Sequence, residues 1–223
     1  MRVLITGATG MIGSGVLIEC LESDFVESVL IVGRRSCGKQ HPKITEILHR
    51  DFLDFSPLER ELTGLDACFY CLGVKVGMMR EANYRRITVE YAAALGAILV
   101  RRSPGLAMCF LSGEGVDPTR PSRLMWVRVK GEAEQLMSTL PFERLHIFRP
   151  GYIHPEKGVR PSYFIYQFSD LFYPLLRLLM PRWVCTTSQI GRAMIAAALG
   201  KSDRQILSSR DIVQLSAAME ACR

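Results

Sequence analysis

Histidine and tryptophan are scarce, with four and two in 223 residues. His41, His49, His146 and His154 stand apart from one another and from carboxylates at ligand spacing, so no metal site is indicated. There is no internal repeat and no low-complexity tract, which excludes solenoids and biased disordered chains. Long apolar runs are missing too. The longest charge-free stretch, Val3–Ile18, is interrupted by Gly7, Gly10, Gly13 and Gly15 and lacks a small-x-small cleavage site, so neither a membrane span nor a signal peptide fits. Paired cysteines are also lacking. Cys20, Cys37, Cys68, Cys71, Cys109, Cys185 and Cys222 are odd in number and mostly embedded in apolar runs, which implies a reducing, cytoplasmic setting and not a disulfide framework.

What is present is a globular composition, 48% hydrophobic and 22% charged, enough to bury one sizeable core. Lys+Arg 28 against Asp+Glu 22 gives a formal charge of +6, which suits an anionic partner. Nucleic acid is not expected, because Arg34-Arg35, Arg85-Arg86 and Arg101-Arg102 are dispersed between apolar segments. Short apolar runs alternate with helix-period segments: Arg2–Thr6 then Met11–Leu21, Ser28–Val32, Ile44–His49, Ala67–Leu72 then Glu81–Val100, Leu106–Ser112 then Arg123–Thr139, and Arg144–Phe148. The runs VLIT, VLIV, CFYCL and LAMCFL are apolar at consecutive positions, as in strands covered on both faces. The pattern predicts an α/β fold, a Rossmann-type doubly wound parallel sheet occupying 1–223 as one domain. Residues 151–223 are expected to form a small C-terminal helical cap, with helices at Ser188–Leu199 and Asp211–Met219. The aromatic stretch Tyr163–Leu179 reads as packing or a pocket cap, with a subunit contact, and so a homodimer, or a membrane-surface contact as alternatives.

Thr6-Gly7-Ala8-Thr9-Gly10-Met11-Ile12-Gly13 follows the first strand and opens the first helix. In such a loop the first glycine permits the tight turn, the second lets the main chain approach a pyrophosphate, and the third lets helix and strand pack closely. The anion then rests on free N–H groups at the positive end of the helix. Gly7, Thr9, Gly10, Met11, Ile12 and Gly13 are therefore candidate cofactor contacts. The second strand ends in Gly33-Arg34-Arg35, where a carboxylate would mark NAD; two guanidiniums can instead hold a 2′-phosphate, so NADP is expected. By position, Asp51 and Phe52 fall where the adenine would lie, and Leu72-Gly73 where the main chain would pass the cofactor ribose. Cys68 and Cys71 have redox-pair spacing, but residues i and i+3 of a strand face opposite ways, so both read as core.

The glycine loop, Phe69-Tyr70-Cys71-Leu72-Gly73, Leu111-Ser112, Val129-Lys130-Gly131-Glu132 and Phe148-Arg149-Pro150-Gly151 occur in the order found in short-chain dehydrogenases/reductases. The chain resembles the atypical branch of that superfamily, in particular the Tat-interacting oxidoreductase-like proteins and the bacterial nucleoside-diphosphate-sugar epimerase-like proteins. That resemblance implies a cofactor role for Pro150 and Gly151, a carbonyl-polarising role for Ser112, and a ribose-holding role for Lys130. It also implies a tyrosine four residues before the lysine, and here that position is Trp126. An indole N–H donates a hydrogen bond but offers no accessible anion, so the usual proton relay is absent. Tyr152 and Tyr84 are substitute donors by chain position, and water is a third source. The expectation is an NADP(H)-dependent oxidoreductase on a small carbonyl or sugar-like substrate, or else a non-catalytic NADP(H)-binding regulator.

Overall fold

Successive residues of a strand point to opposite faces, so a strand can be apolar throughout only if both faces are covered. β1 (Arg2–Thr6), β2 (Ser28–Gly33), β4 (Ala67–Tyr70) and β5 (Ala107–Leu111) meet that condition with four buried residues each. β3 (Ile44–Leu48), β6 (Arg144–Arg149) and β9 (Ile206–Ser208) are more mixed and lie toward the sheet edges. The computed structural model describes residues 1–74, 77, 79–120, 122–156, 158–159 and 183–220. Its main sheet runs β3-β2-β1-β4-β5-β6-β9, and every neighbouring pair is parallel. From β1 the chain winds outward to β3, then returns to β4 and winds the other way. A crevice therefore opens at the carboxyl ends of β1 and β4, where the order reverses.

One face carries Val3, Ile5, Ile31, Phe69, Cys109 and Phe148 beneath α1 (Met11–Glu22), α5 (Thr187–Ala198) and α6 (Ser209–Glu220). The other carries Leu4, Val32, Tyr70 and Phe110 beneath α3 (Tyr91–Arg102) and α4 (Met125–Thr139). The helix expected over Glu81–Val100 has three parts: α2 (Glu81–Arg85), a π-helical turn (Arg86–Glu90) and α3. Cys68 belongs to the α3/α4 face and Cys71 to the α1 face, and burial pushes the Cys71 thiol up to about 12. No helix among the described residues is long and apolar enough to cross a membrane.

The expected cap differs in its make-up. Both predicted helices are present, but α5 and α6 cover the sheet and β9 extends it beside β6, so much of 183–220 belongs to the main layer structure. A second, two-stranded parallel sheet pairs β7 (Tyr152–His154) with β8 (Val184–Thr186) just past the end of β6. The aromatic stretch Tyr163–Leu179 and Cys222 lie outside the described residues.

Candidate functional site

The crevice is floored by the glycine loop. Gly7 adopts φ +76°, and a Cβ built there would fall 2.5 Å from the Cys71 carbonyl oxygen. A Cβ at Gly13 would fall 2.1 Å from the Gly7 carbonyl oxygen, so α1 sits directly on the turn that precedes it. The Gly10 N–H donates to Gly7 O at 2.9 Å and closes the turn. At the far end of the crevice α5 begins with a reciprocal capping box between Thr186 and Gln189. By contrast α1 starts from Gly10 with no side-chain cap and no acid in its first turn. The amides of Met11, Ile12 and Gly13 thus have no side-chain acceptor, and Thr9 and Gly10 are exposed in front of them. Such an uncapped positive helix end, with no Cβ obstructing approach, suits a bound diphosphate.

Beyond β2, Arg34 and Arg35 are exposed, and neither has an ion-pair partner among the described residues. Their loop is held from β3. The Glu46 carboxylate accepts from Ser36 Oγ at 2.6 Å and from the Cys37 N–H at 2.7 Å. Burial works against the charge on Glu46, but these hydrogen bonds outweigh it and hold the carboxyl below its ordinary value. A depressed carboxyl contributes above its unfolded pKa and loses the contribution as pH falls through the folded value. Glu46→Ala is accordingly expected to leave the chain folded while freeing the arginine loop, read as a lower hydrogen-exchange protection factor at the Cys37 amide at neutral pH, and the wild-type loop should lose the same protection in acid.

Asp51 is exposed and accepts from the Leu53 N–H at 3.0 Å, while the Phe52 side chain turns into the core. Its ring is 1% exposed, lodged between Phe55 and Tyr91 at centroid distances of 5.4 and 5.6 Å, so it offers no face to an adenine. Burial drives it inward, and the neighbour left facing solvent is Leu53.

At the ends of β4 and β5 the remaining residues converge. Leu72 is half-buried and Gly73 exposed, with nothing within 4 Å of a Cβ built on Gly73. Ser112 is 5% exposed, and its Oγ has no hydrogen-bond partner among the described residues. Lys130 Nζ donates to Ser112 O at 2.9 Å and to Leu111 O at 3.4 Å. Burial holds this ammonium down to about 8, against the pull of Glu134. Trp126 folds back over the end of β5, its ring 3.5 Å from where a Gly113 Cβ would lie. Gly151 lies past the end of β6. A Cβ there would fall 2.6 Å from Trp183 O, and its N–H donates to Ser209 Oγ at 2.9 Å, so close packing onto β8 accounts for this glycine. Pro150 is buried beside it, and its carbonyl accepts from the Glu114 N–H at 3.0 Å.

Of the two tyrosines expected as donors, Tyr84 is 2% exposed within the α3/α4 core, and Tyr152 begins β7 with its hydroxyl enclosed. A cavity of about 540 Å³ opens between the loop after β5, α4, the end of β6 and β9, walled by Glu114, Asp117, Val127, Arg149 and Ile206. Sequence reasoning missed the pair beneath it. Arg149 Nε donates to Glu134 at 3.0 Å while its Nη2 grips the second oxygen, with the Glu134 side chain only 2% exposed. Glu134 is on α4 and Arg149 ends β6, so no local spacing signals the pair.

The description of the NAD dependent epimerase/dehydratase family matches residues 3–116. Protein HTATIP2 of Rattus norvegicus is 29% identical across 67% of this chain, and the match spans 61% of the rat protein's length. Protein FMP52, mitochondrial, of Eremothecium gossypii is 24% identical, over 96% of this chain and 97% of that protein. Among solved structures, MoeE5 in complex with UDP-glucose and NAD has a TM-score of 0.70 at 20% identity, covering 99% of this chain and 82% of its own. The dTDP-glucose 4,6-dehydratase DesIV from Streptomyces venezuelae, with NAD and TYD bound, also reaches 0.70, at 16% identity, 99% and 80%. At those identities the structures share a fold. With just over half of its length matched by the family description, this chain belongs to the NAD dependent epimerase/dehydratase family of NAD(P)-dependent Rossmann proteins.

Proposed function

We propose that the protein is an NADP(H)-dependent oxidoreductase acting on a small carbonyl or sugar-like substrate. The observation that carries the reading is the buried Ser112 Oγ, without a hydrogen-bond partner among the described residues, positioned on the main chain that Lys130 grips, next to an uncapped glycine-loop helix. The residues fit a dinucleotide: first-turn amides of α1 for the diphosphate, Arg34 and Arg35 for a 2′-phosphate, and Lys130 for the ribose hydroxyls. When bound, such a cofactor supplies a hydride. Ser112 Oγ, free to donate, orients and polarises the substrate carbonyl oxygen. Leu72 and Gly73 form the open wall along which the cofactor ribose lies. The six free thiols among the described residues suit a reducing compartment such as the cytoplasm.

Gly73 offers a clean check, because a methyl group there meets nothing within 4 Å among the described residues. Gly73→Ala should leave the melting temperature unchanged yet weaken NADPH about tenfold, by crowding the ligand and not the fold. Equal NADPH affinity in wild type and variant would remove this wall from the site.

Trp126 favours a second reading, a non-catalytic NADP(H)-binding regulatory or redox-sensing protein. Following NADPH oxidation with a panel of aldehydes, ketones and quinones, in wild type and in Trp126→Tyr, separates the two. NADPH binding without turnover in both forms would favour the regulator.

A further inference from the structure

We infer that Lys130 is the proton source for the reacting oxygen, filling the role that Trp126 cannot. The inference rests on the reductase reading above. Among the described residues, two phenols near the crevice are poorly placed to serve: Tyr84 is buried in the helical core, and Tyr70 is 1% exposed and stacked on Phe110. Lys130, by contrast, reaches the end of β5. Its Nζ lies 2.9 Å from the carbonyl oxygen of Ser112, the residue whose hydroxyl stands unpartnered at the same point. Two of its three N–H bonds are taken by Ser112 O and Leu111 O, and the third has no acceptor among the described residues.

The surroundings favour release of a proton from this ammonium. Glu134, the nearest acid on α4, is itself neutralised by Arg149 of β6. On the packed elements, Arg85 of α2 pairs with Glu132 of α4 and Glu90 of the π-turn, and Glu81 of α2 pairs with Arg128 of α4. Asp117, on the loop after β5, pairs with Arg120. Glu114 lies on the same loop, and Tyr70 and Tyr84 are uncharged. Half-buried among compensated charges, Lys130 titrates at about 8, close to the range in which a general acid works well.

In the step itself, hydride addition forms a C–H bond at the carbonyl carbon while the C=O π pair moves to oxygen. The oxygen takes the proton of Lys130, so the carbonyl is reduced by two electrons and NADPH, the reductant, is oxidised by two. Lys130 is left as the neutral amine and recovers its proton from water.

The test uses the full chain, NADPH, and 4-nitrobenzaldehyde and 9,10-phenanthrenequinone as probes between pH 6 and 10. Wild type should turn over with kcat falling above about pH 8, through one ionisation. Lys130→Arg keeps the positive charge but cannot release a proton, so kcat should fall about 100-fold or more at saturating NADPH, with the NADPH Kd measured in parallel to separate loss of binding from loss of proton transfer. Trp126→Tyr supplies a phenol and should move the descending limb to higher pH. Independently of turnover, a lysine ¹³Cε resonance absent in Lys130→Arg should titrate near pH 8 in the cofactor-free protein. Undiminished kcat in Lys130→Arg, a Lys130 resonance titrating like a free lysine, or NADPH binding without turnover of either probe would overturn the inference. Failure to bind NADPH would instead overturn the cofactor reading on which it rests.

Discussion

Gly13→Ala should abolish dinucleotide binding and cost the fold about 3 kcal/mol, near the upper end for overpacking a tight contact. The added methyl group would lie 2.1 Å from Gly7 O, 2.7 Å from Gly7 C and 3.1 Å from Ala8 Cα. All three are backbone atoms, so no side chain can rotate away. Either α1 lifts off the loop or the loop shifts toward Cys71 and Leu72, which already crowd Gly7. Both movements misalign the first-turn amides, and affinity for NADPH should drop by at least about 100-fold. Thermal denaturation and a fluorescence titration check the two halves separately. A variant of wild-type stability that still binds NADPH would show that α1 is not held against the loop as described.

A comparably large effect is expected from Glu134→Ala. This side chain and Arg149 form a two-point ion pair between α4 and the last residue of β6, in a place with almost no solvent on the carboxylate. Removing one member of a buried pair typically costs about 3–5 kcal/mol, because the other charge stays behind uncompensated. For a chain of this size that corresponds to a fall of roughly 10 °C in Tm. Replacing both members, Glu134→Leu with Arg149→Met, should recover most of the loss, since the charge left behind is then gone. Because Lys130 lies one turn before Glu134 on α4, the single variant should also disturb Lys130 against Ser112. A single variant as stable as wild type would mean the pair is broken in solution.

The central strands were legible because consecutive apolar residues such as Val3-Leu4-Ile5 can be buried only in a sheet covered twice. The turn at Gly7 and the start of α1 were legible for a different reason: the spacing of the glycines encodes close backbone approach. Short strands were not. β7 and β8 have three residues each and pair across a long separation, so nothing local marks them. β9, also three residues, gains its place beside β6 only through the packing of α5 and α6. The direction of the Phe52 ring was not legible either, since one step along the chain decides whether a side chain faces solvent or the core. Likewise Gly151 suits a cofactor contact by order in the chain, but its packing against Trp183 is tertiary and invisible beforehand. The Glu134–Arg149 pair and the grip of Glu46 on the arginine loop belong to the same class, because they join residues whose partnership only the fold creates.

The NADP(H) reading depends most on a cofactor phosphate at Arg34 and Arg35, and one titration addresses it directly. NADPH and NADH should be added in parallel to wild type and to the Arg34→Ala/Arg35→Ala double variant, following tryptophan fluorescence, with Trp126 close to Ser112 as reporter. The expected result is NADPH binding at least about tenfold tighter than NADH in wild type, with the difference removed in the variant. Equal affinities in wild type, or a preference for NADPH that survives loss of both arginines, would contradict it.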